Sequence, residues 1–168
     1  MNKDVEPTSI SRNSMRPVWW KCKEGHSWKD KISNRTIEGR GCAACEAEFR
    51  RVLPQLLIML YCGRNGLKPR INDEDTIGVP LDAYIPDLKL AFLAIGRGTK
   101  TETDTQAIAK HLCERRGIVL EAVSYRASSE SLCMDIKRAF QEAHVYFTSD
   151  FEEDIEIAHT QFYRWRRR

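Results

Sequence analysis

Four side chains within twenty-four residues are of the types that bind a soft divalent metal: Cys22 and His26, then Cys42 and Cys45, with fifteen residues between the two pairs. A tetrahedral zinc ion takes thiolate and imidazole ligands from tight turns, and Cys-x3-His followed by Cys-x2-Cys supplies two such pairs. Gly25 and Gly41 stand beside the ligands, where the backbone must turn. One cysteine here would read as a free thiol. Four ligands at this spacing read as a structural zinc site carried by two knuckles, a zinc ribbon. The other three cysteines, Cys62, Cys113 and Cys133, are scattered and odd in number, which argues against a disulfide framework and for a reducing, cytoplasmic setting. The first fifteen residues hold no apolar run of the signal-peptide kind, and no stretch approaches a membrane span.

Charge is distributed unevenly. Residues 1–45 carry nine Lys or Arg against five Asp or Glu, whereas residues 46–168 carry eighteen against nineteen, so the metal-binding end is the basic end. Lys and Arg release counterions when they neutralise a nucleic-acid backbone, and the best phosphate-contact candidates are Lys29, Lys31, Arg35 and Arg40. Asn34 and Arg35 are of the types that reach base edges. A second basic group closes the chain, where Arg164, Arg166, Arg167 and Arg168 interleave with Tyr163 and Trp165. Trp19, Trp20 and Trp28 are a heavy aromatic load for a short unit. Packed around the metal they substitute for a core, and an exposed ring among them would stack on a base.

The elements that hold these groups follow from periodicity. Residues 1–16 are polar and precede the metal-binding stretch, and residues 29–40 have the alternation and turn residues of a short hairpin between the knuckles. Residues 46–62 place Phe49, Val52, Leu53, Leu56, Leu57 and Leu60 at helical spacing, with Pro54 inside and Gly63 and Gly66 as the stop. Strands are expected at residues 80–85 and 88–95, with Pro86-Asp87 as the turn between them, preceded by a polar connection or first strand at residues 67–79. A helix at residues 105–117, capped by Thr103 or Asp104, leads to a strand at residues 118–125, and two helices close the chain at residues 129–144 and 151–164. Helix, three strands, helix, strand describes an α/β sandwich with a mixed sheet. The expected division is a zinc ribbon with its N-terminal arm at residues 1–45 and an α/β domain with C-terminal helices at residues 46–168.

The tryptophan pair, the Cys-x-x-Gly-His-x-Trp knuckle, the Ser-Asn-Arg-Thr run and the closing Gly-Cys-x-x-Cys resemble a family of zinc-ribbon domains over residues 18–45. Its members often stand beside a nuclease domain, and nucleic-acid binding is presumed for them. The element order and the string Leu81-Asp82-Ala83-Tyr84-Ile85-Pro86-Asp87-Leu88-Lys89-Leu90-Ala91 in turn resemble the PD-(D/E)XK nuclease core of the very-short-patch-repair type, over residues 46–125. That resemblance makes Asp82 the first metal-binding carboxylate. The family glutamate falls on Leu93, the next functional position falls on Ile95, Gly96 keeps the glycine, and the Trp-His pair has no counterpart.

Phosphodiester hydrolysis on this fold needs two or more carboxylates converging on Mg²⁺ and a further polar group to position water. Leu93 and Ile95 supply no oxygen. The expectation is therefore a restriction-endonuclease-like fold without a working active site. Such a chain would bind nucleic acid, duplex DNA by analogy, through a zinc ribbon and an inert core, as part of a mobile-element, phage or defence nucleoprotein complex. Two other readings stand beside it: a protein-interaction subunit or inhibitor docking on a larger nuclease or recombinase, and an active Mg²⁺-dependent endonuclease in which Glu102 or Asp104 has migrated toward Asp82.

Overall fold

Pro17–Lys21 (β1) and Ser27–Lys31 (β2) alternate in burial, and this is what makes them a hairpin with two unlike faces. They pair antiparallel with Trp20 opposite Trp28 and Trp19 opposite Lys29, so the connecting turn is the Cys22–His26 knuckle itself. In the computed structural model, which describes residues 6–165, the chain divides into two compact units, Met1–Glu48 and Phe49–Arg168.

The first unit departs from the expected pattern at residues 29–40. Lys29 and Lys31 are already paired with β1, so no second hairpin forms there, and the following residues close on themselves as a short helix, Ile32–Thr36 (α1). Thr36 Oγ1 donates to the carbonyls of Ile32 and Arg12, and the amides of Ile32 and Ser33 donate to the carbonyls of Arg16 and Ser14. Residues 12–16 thus lie along α1 and close its open end. The chain next enters the helix Ala43–Arg64 (α2), whose first turns belong to this unit.

From Phe49 onward α2 presents the apolar face that its spacing predicts, and it runs through Pro54 and Gly63 without ending. The stop is Gly66, at a φ of 67°, where the Leu67 amide returns to the Cys62 carbonyl. Arg70–Asp73 (β3), Leu81–Ile85 (β4), Leu90–Ile95 (β5) and Val119–Ser124 (β6) form one mixed sheet in the order β3-β4-β5-β6. The first three strands are antiparallel neighbours, and β5 and β6 run parallel because the helix Lys100–Arg115 (α3) carries the chain back between them. Two helices, Ser129–Glu142 (α4) and Phe151–Trp165 (α5), complete the unit.

Helix α3 starts earlier than expected. Its cap is Thr99, whose side chain accepts from the Glu102 amide while Glu102 reaches back to the Thr99 amide. This capping box is visible in the sequence as Thr-x-x-Glu and outcompetes Thr103 and Asp104, which lie inside the helix.

The core has two parts. Ala83, Ile85, Leu90, Phe92 and Val123 of the sheet pack with apolar side chains of α2, α4 and α5, while Leu81 and Ala91 pack with Ile77, Ile118 and the α3 residues Ala109 and Cys113. Among the described residues no helix is long and apolar enough to cross a membrane.

Candidate metal centre and nucleic-acid interface

The hairpin turn and the start of α2 bring Cys22, His26, Cys42 and Cys45 together, with all four ligand atoms within 4.8 Å of one another. At the knuckle the Cys22 amide donates to the His26 carbonyl, the Gly25 amide donates to the Cys22 carbonyl, and Gly25 takes a φ of 86° that a side chain would resist. The second pair is not a second knuckle. Cys42 precedes α2 and Cys45 lies in its first turn, with the Glu46 amide donating to the Cys42 carbonyl. A two-residue spacing fits the first turn of a helix as readily as a knuckle, and the positive end of the helix dipole favours thiolate there.

The distances fit the metal. Zinc bonds of about 2.3 Å to sulfur and 2.0–2.1 Å to nitrogen at tetrahedral angles separate ligand atoms by roughly 3.8 Å (S to S) and 3.6 Å (S to N). Cys45 Sγ lies 3.8 Å from Cys22 Sγ, and His26 Nδ1 lies 3.4, 3.6 and 3.3 Å from the sulfurs of Cys22, Cys42 and Cys45. The histidine therefore offers Nδ1 to the site. Burial pushes the Cys42 thiol up, but bonds from the Cys45 and Ala44 amides and from the Cys45 and Cys22 thiols outweigh it, so Cys42 sits below its ordinary value, as a zinc-bound thiolate requires.

Residues 1–48 match a family described as a probable treble clef zinc finger domain. One ligand pair from a knuckle and one from a helix start is the arrangement that description names, and it replaces the expected two-knuckle ribbon. The zinc in this finger is structural. No curated protein and no solved structure matches the chain.

The pleat of the finger's hairpin sorts its side chains. Val18, Trp20, Trp28 and Asp30 occupy the more covered face, while Pro17, Trp19, Lys21, Ser27, Lys29 and Lys31 occupy the exposed one. Arg35 lies over both covered indoles, 5.2 Å from Trp20 and 5.3 Å from Trp28, and donates to the Arg40 carbonyl. Asn34 donates to Asp30, and Arg40 pairs with Glu38 at 2.7 Å. Lys29 and Lys31 thus stand on an open basic face, whereas Asn34, Arg35 and Arg40 have internal partners. Arg164 is exposed near the end of α5 beside Trp165, and Arg166, Arg167 and Arg168 lie outside the described residues.

Asp82 sits where β4 and β5 stop pairing. The ladder runs from Ile85 opposite Leu90 to Ala83 opposite Phe92, and beyond it the Asp82 carboxylate accepts from the Ala94 amide at 2.6 Å and from Gln55 Nε2 at 3.2 Å. Gln55, a buried amide on the apolar face of α2, also donates to Asn72, a non-glycine residue with φ 52°. Neither Gln55 nor Asn72 stands out by motif, although a glutamine inside the run Leu-Pro-Gln-Leu-Leu-Ile is the kind of interruption that marks a buried polar contact. Glu102 is held by its capping box and by the Gly96 amide, and Asp104 is exposed. Among the described residues the zinc ligands are the one group of three or more Cys, His, Asp or Glu able to hold a metal ion.

Burial raises the Asp82 carboxyl above its ordinary 3.8, partly offset by the bonds from Ala94 and Gln55. A raised acid favours the protonated fold, so its contribution to stability falls as pH climbs from 3.8 through the raised folded value and is level above it. Asp82→Asn is expected to abolish that decline while keeping one acceptor oxygen. Asp82→Ala orphans the Ala94 amide and should cost about 1–3 kcal/mol. Urea unfolding of both variants between pH 3.5 and 7 checks this. Close by, a Cβ on Gly96 would run into the Tyr125 hydroxyl and approach Glu102 Oε1 to 2.9 Å. Gly96→Ala should therefore lose about 1–3 kcal/mol by overpacking, and Gly96→Ala with Tyr125→Ala should lose less than the two single changes together, as measured by the same unfolding.

Proposed function

We propose that this protein binds nucleic acid through its zinc finger and that its α/β unit is a restriction-endonuclease-like core without catalysis, working within a mobile-element, phage or defence nucleoprotein complex. Residues 1–45 and 46–168 are then its two domains. The observation that carries the reading is the exposed hairpin face, where three lysines surround an aromatic ring on a zinc-pinned turn. The core reading is supported by the helix-strand-strand-strand-helix-strand order, the mixed sheet, and Asp82 at the parting of β4 and β5. Against hydrolysis stand Leu93 and Ile95 on the neighbouring strand, and the commitment of both Asp82 and Glu102 to backbone amides. A nuclease-like core with fewer acidic ligands repels phosphate less, and two linked weak contacts bind more tightly than either alone. Duplex DNA is the partner that the nuclease resemblance favours.

The test is anisotropy binding of a labelled 25-base-pair duplex by the zinc-loaded chain between 50 and 200 mM salt. Each phosphate neutralised contributes a slope of about −0.9 in log K against log salt, so replacing Lys21, Lys29 and Lys31 together with Ala should flatten the slope by roughly two to three units. Salt-insensitive binding, or Mg²⁺- or Mn²⁺-dependent nicking that Asp82→Ala abolishes, would overturn the reading.

A further inference from the structure

We infer that the hairpin face of the finger takes an unpaired nucleotide, its base stacked on Trp19 and its neighbouring phosphates on Lys21, Lys29 and Lys31. The inference deepens the nucleic-acid reading above and rests on it. Trp20 and Trp28 lie under the Arg35 guanidinium on the covered face, and Trp19, on the opposite face, keeps 43% of its surface exposed. Burial would have been the favourable place for so large a ring, and the pleat denies it. Lys29 stands directly across from Trp19, Lys21 lies two residues along β1, and Lys31 lies two residues along β2 in the opposite direction. Two residues along a strand span roughly 6.8 Å, comparable to the separation of neighbouring phosphates in an unstacked strand. Cations therefore flank the ring on both sides along the hairpin axis.

Pro17, opposite Lys31, shares this face and is exposed. Asp30 of β2 lies on the opposite face, and Glu24 lies in the turn. Inside a closed duplex the base faces are covered by their neighbours, so an indole standing on a flat hairpin meets only edges and backbone. Stacking becomes available once a base is unpaired, and it tolerates any base because each has a π face.

Binding of a labelled dT12 strand, of a blunt duplex and of a duplex with a dT6 overhang to the zinc-loaded full chain tests this, with Trp19→Ala and Trp19→Phe as variants. Zinc content confirms that each variant retains its finger. The expected result is tighter binding of dT12 and the overhang than of the blunt duplex. Trp19→Ala should weaken dT12 binding about tenfold or more, Trp19→Phe should retain most of it, and the blunt duplex should be affected by neither. If Trp19→Ala loses zinc, the Trp19→Phe and wild-type ranking of the three nucleic acids decides alone. Equal affinity for blunt duplex and dT12, or equal loss on both, overturns the stacking site and leaves nucleic-acid binding standing. No binding of any of the three at 50 mM salt overturns the broader reading along with it.

Discussion

Chelating the metal is expected to unfold the finger and leave the α/β unit folded. Among residues 6–48 the buried apolar side chains are Val18, Ile32 and Cys45, and one of these is itself a ligand. A core of that size offsets little of the chain entropy, so the fold of this unit depends on the metal. Structural zinc sites supply about 10–16 kcal/mol of apparent binding free energy, most of which appears as folding. Three of the four tryptophans, Trp19, Trp20 and Trp28, lie in the finger, so their emission should shift to the red on chelation, while helical circular dichroism from α3, α4 and α5 persists. Cys45→Ala should lower the zinc content from one ion per chain to none and reproduce the emission of the chelated protein. An unchanged emission after complete zinc removal would show that Trp20, Trp28 and Arg35 hold the hairpin unaided.

The zinc ligands were legible because coordination chemistry restricts both residue type and spacing, and the strand Leu90–Ile95 was legible because an unbroken apolar run flanked by turns has few other uses. The carrier of the second ligand pair was not. Cys-Ala-Ala-Cys reads equally as a knuckle or as a helix start, and what decides is the helix-forming run from Ala43 that continues unbroken into residues 46–62. The hairpin lies one segment earlier than the alternation of residues 29–40 suggests, since Lys29 and Lys31 spend that alternation on pairing with β1. Gln55 and Asn72 carry no such signal because their roles lie in tertiary contacts, Gln55 meeting Asp82 and Asn72 twenty-seven and seventeen residues further along the chain. Asp154 carries none for the same reason, since its partner Tyr61 lies ninety-three residues earlier.

Asp154→Ala is expected to be among the most damaging single changes in the α/β unit. The carboxylate is fully buried at the start of α5 and gathers three elements: Tyr61 Oη donates to it at 2.9 Å and Arg64 pairs with it from α2, Lys137 reaches it at 2.9 Å from α4, and Ser149 Oγ donates at 3.0 Å. Lys137 also donates to the Ser149 carbonyl and lies 5.5 Å from the Tyr61 ring, so its ammonium has little recourse to water. Removing the carboxylate leaves that ammonium and the partly covered Arg64 without their counter-charge, at a cost of about 3–5 kcal/mol. Against a total stability of about 5–15 kcal/mol, that is a large share.

If the cost is the orphaned charge, removing Lys137 as well must return part of it, so Asp154→Ala with Lys137→Met should be less destabilised than the sum of the single changes. The pH dependence supplies a second check. Burial alone would raise the Asp154 carboxyl, but the bonds from Lys137, Arg64, Tyr61 and Ser149 outweigh it and hold the group below its ordinary 3.8. Its stabilisation is therefore fully present above 3.8 and is lost as pH falls from there through the lower folded value. Asp154→Asn should lack that acid-side slope in urea unfolding followed from pH 5 to pH 2. A loss below about 1 kcal/mol for Asp154→Ala, together with strict additivity in the double variant, would mean that water reaches Lys137 and that the cluster is not the clasp joining α2, α4 and α5.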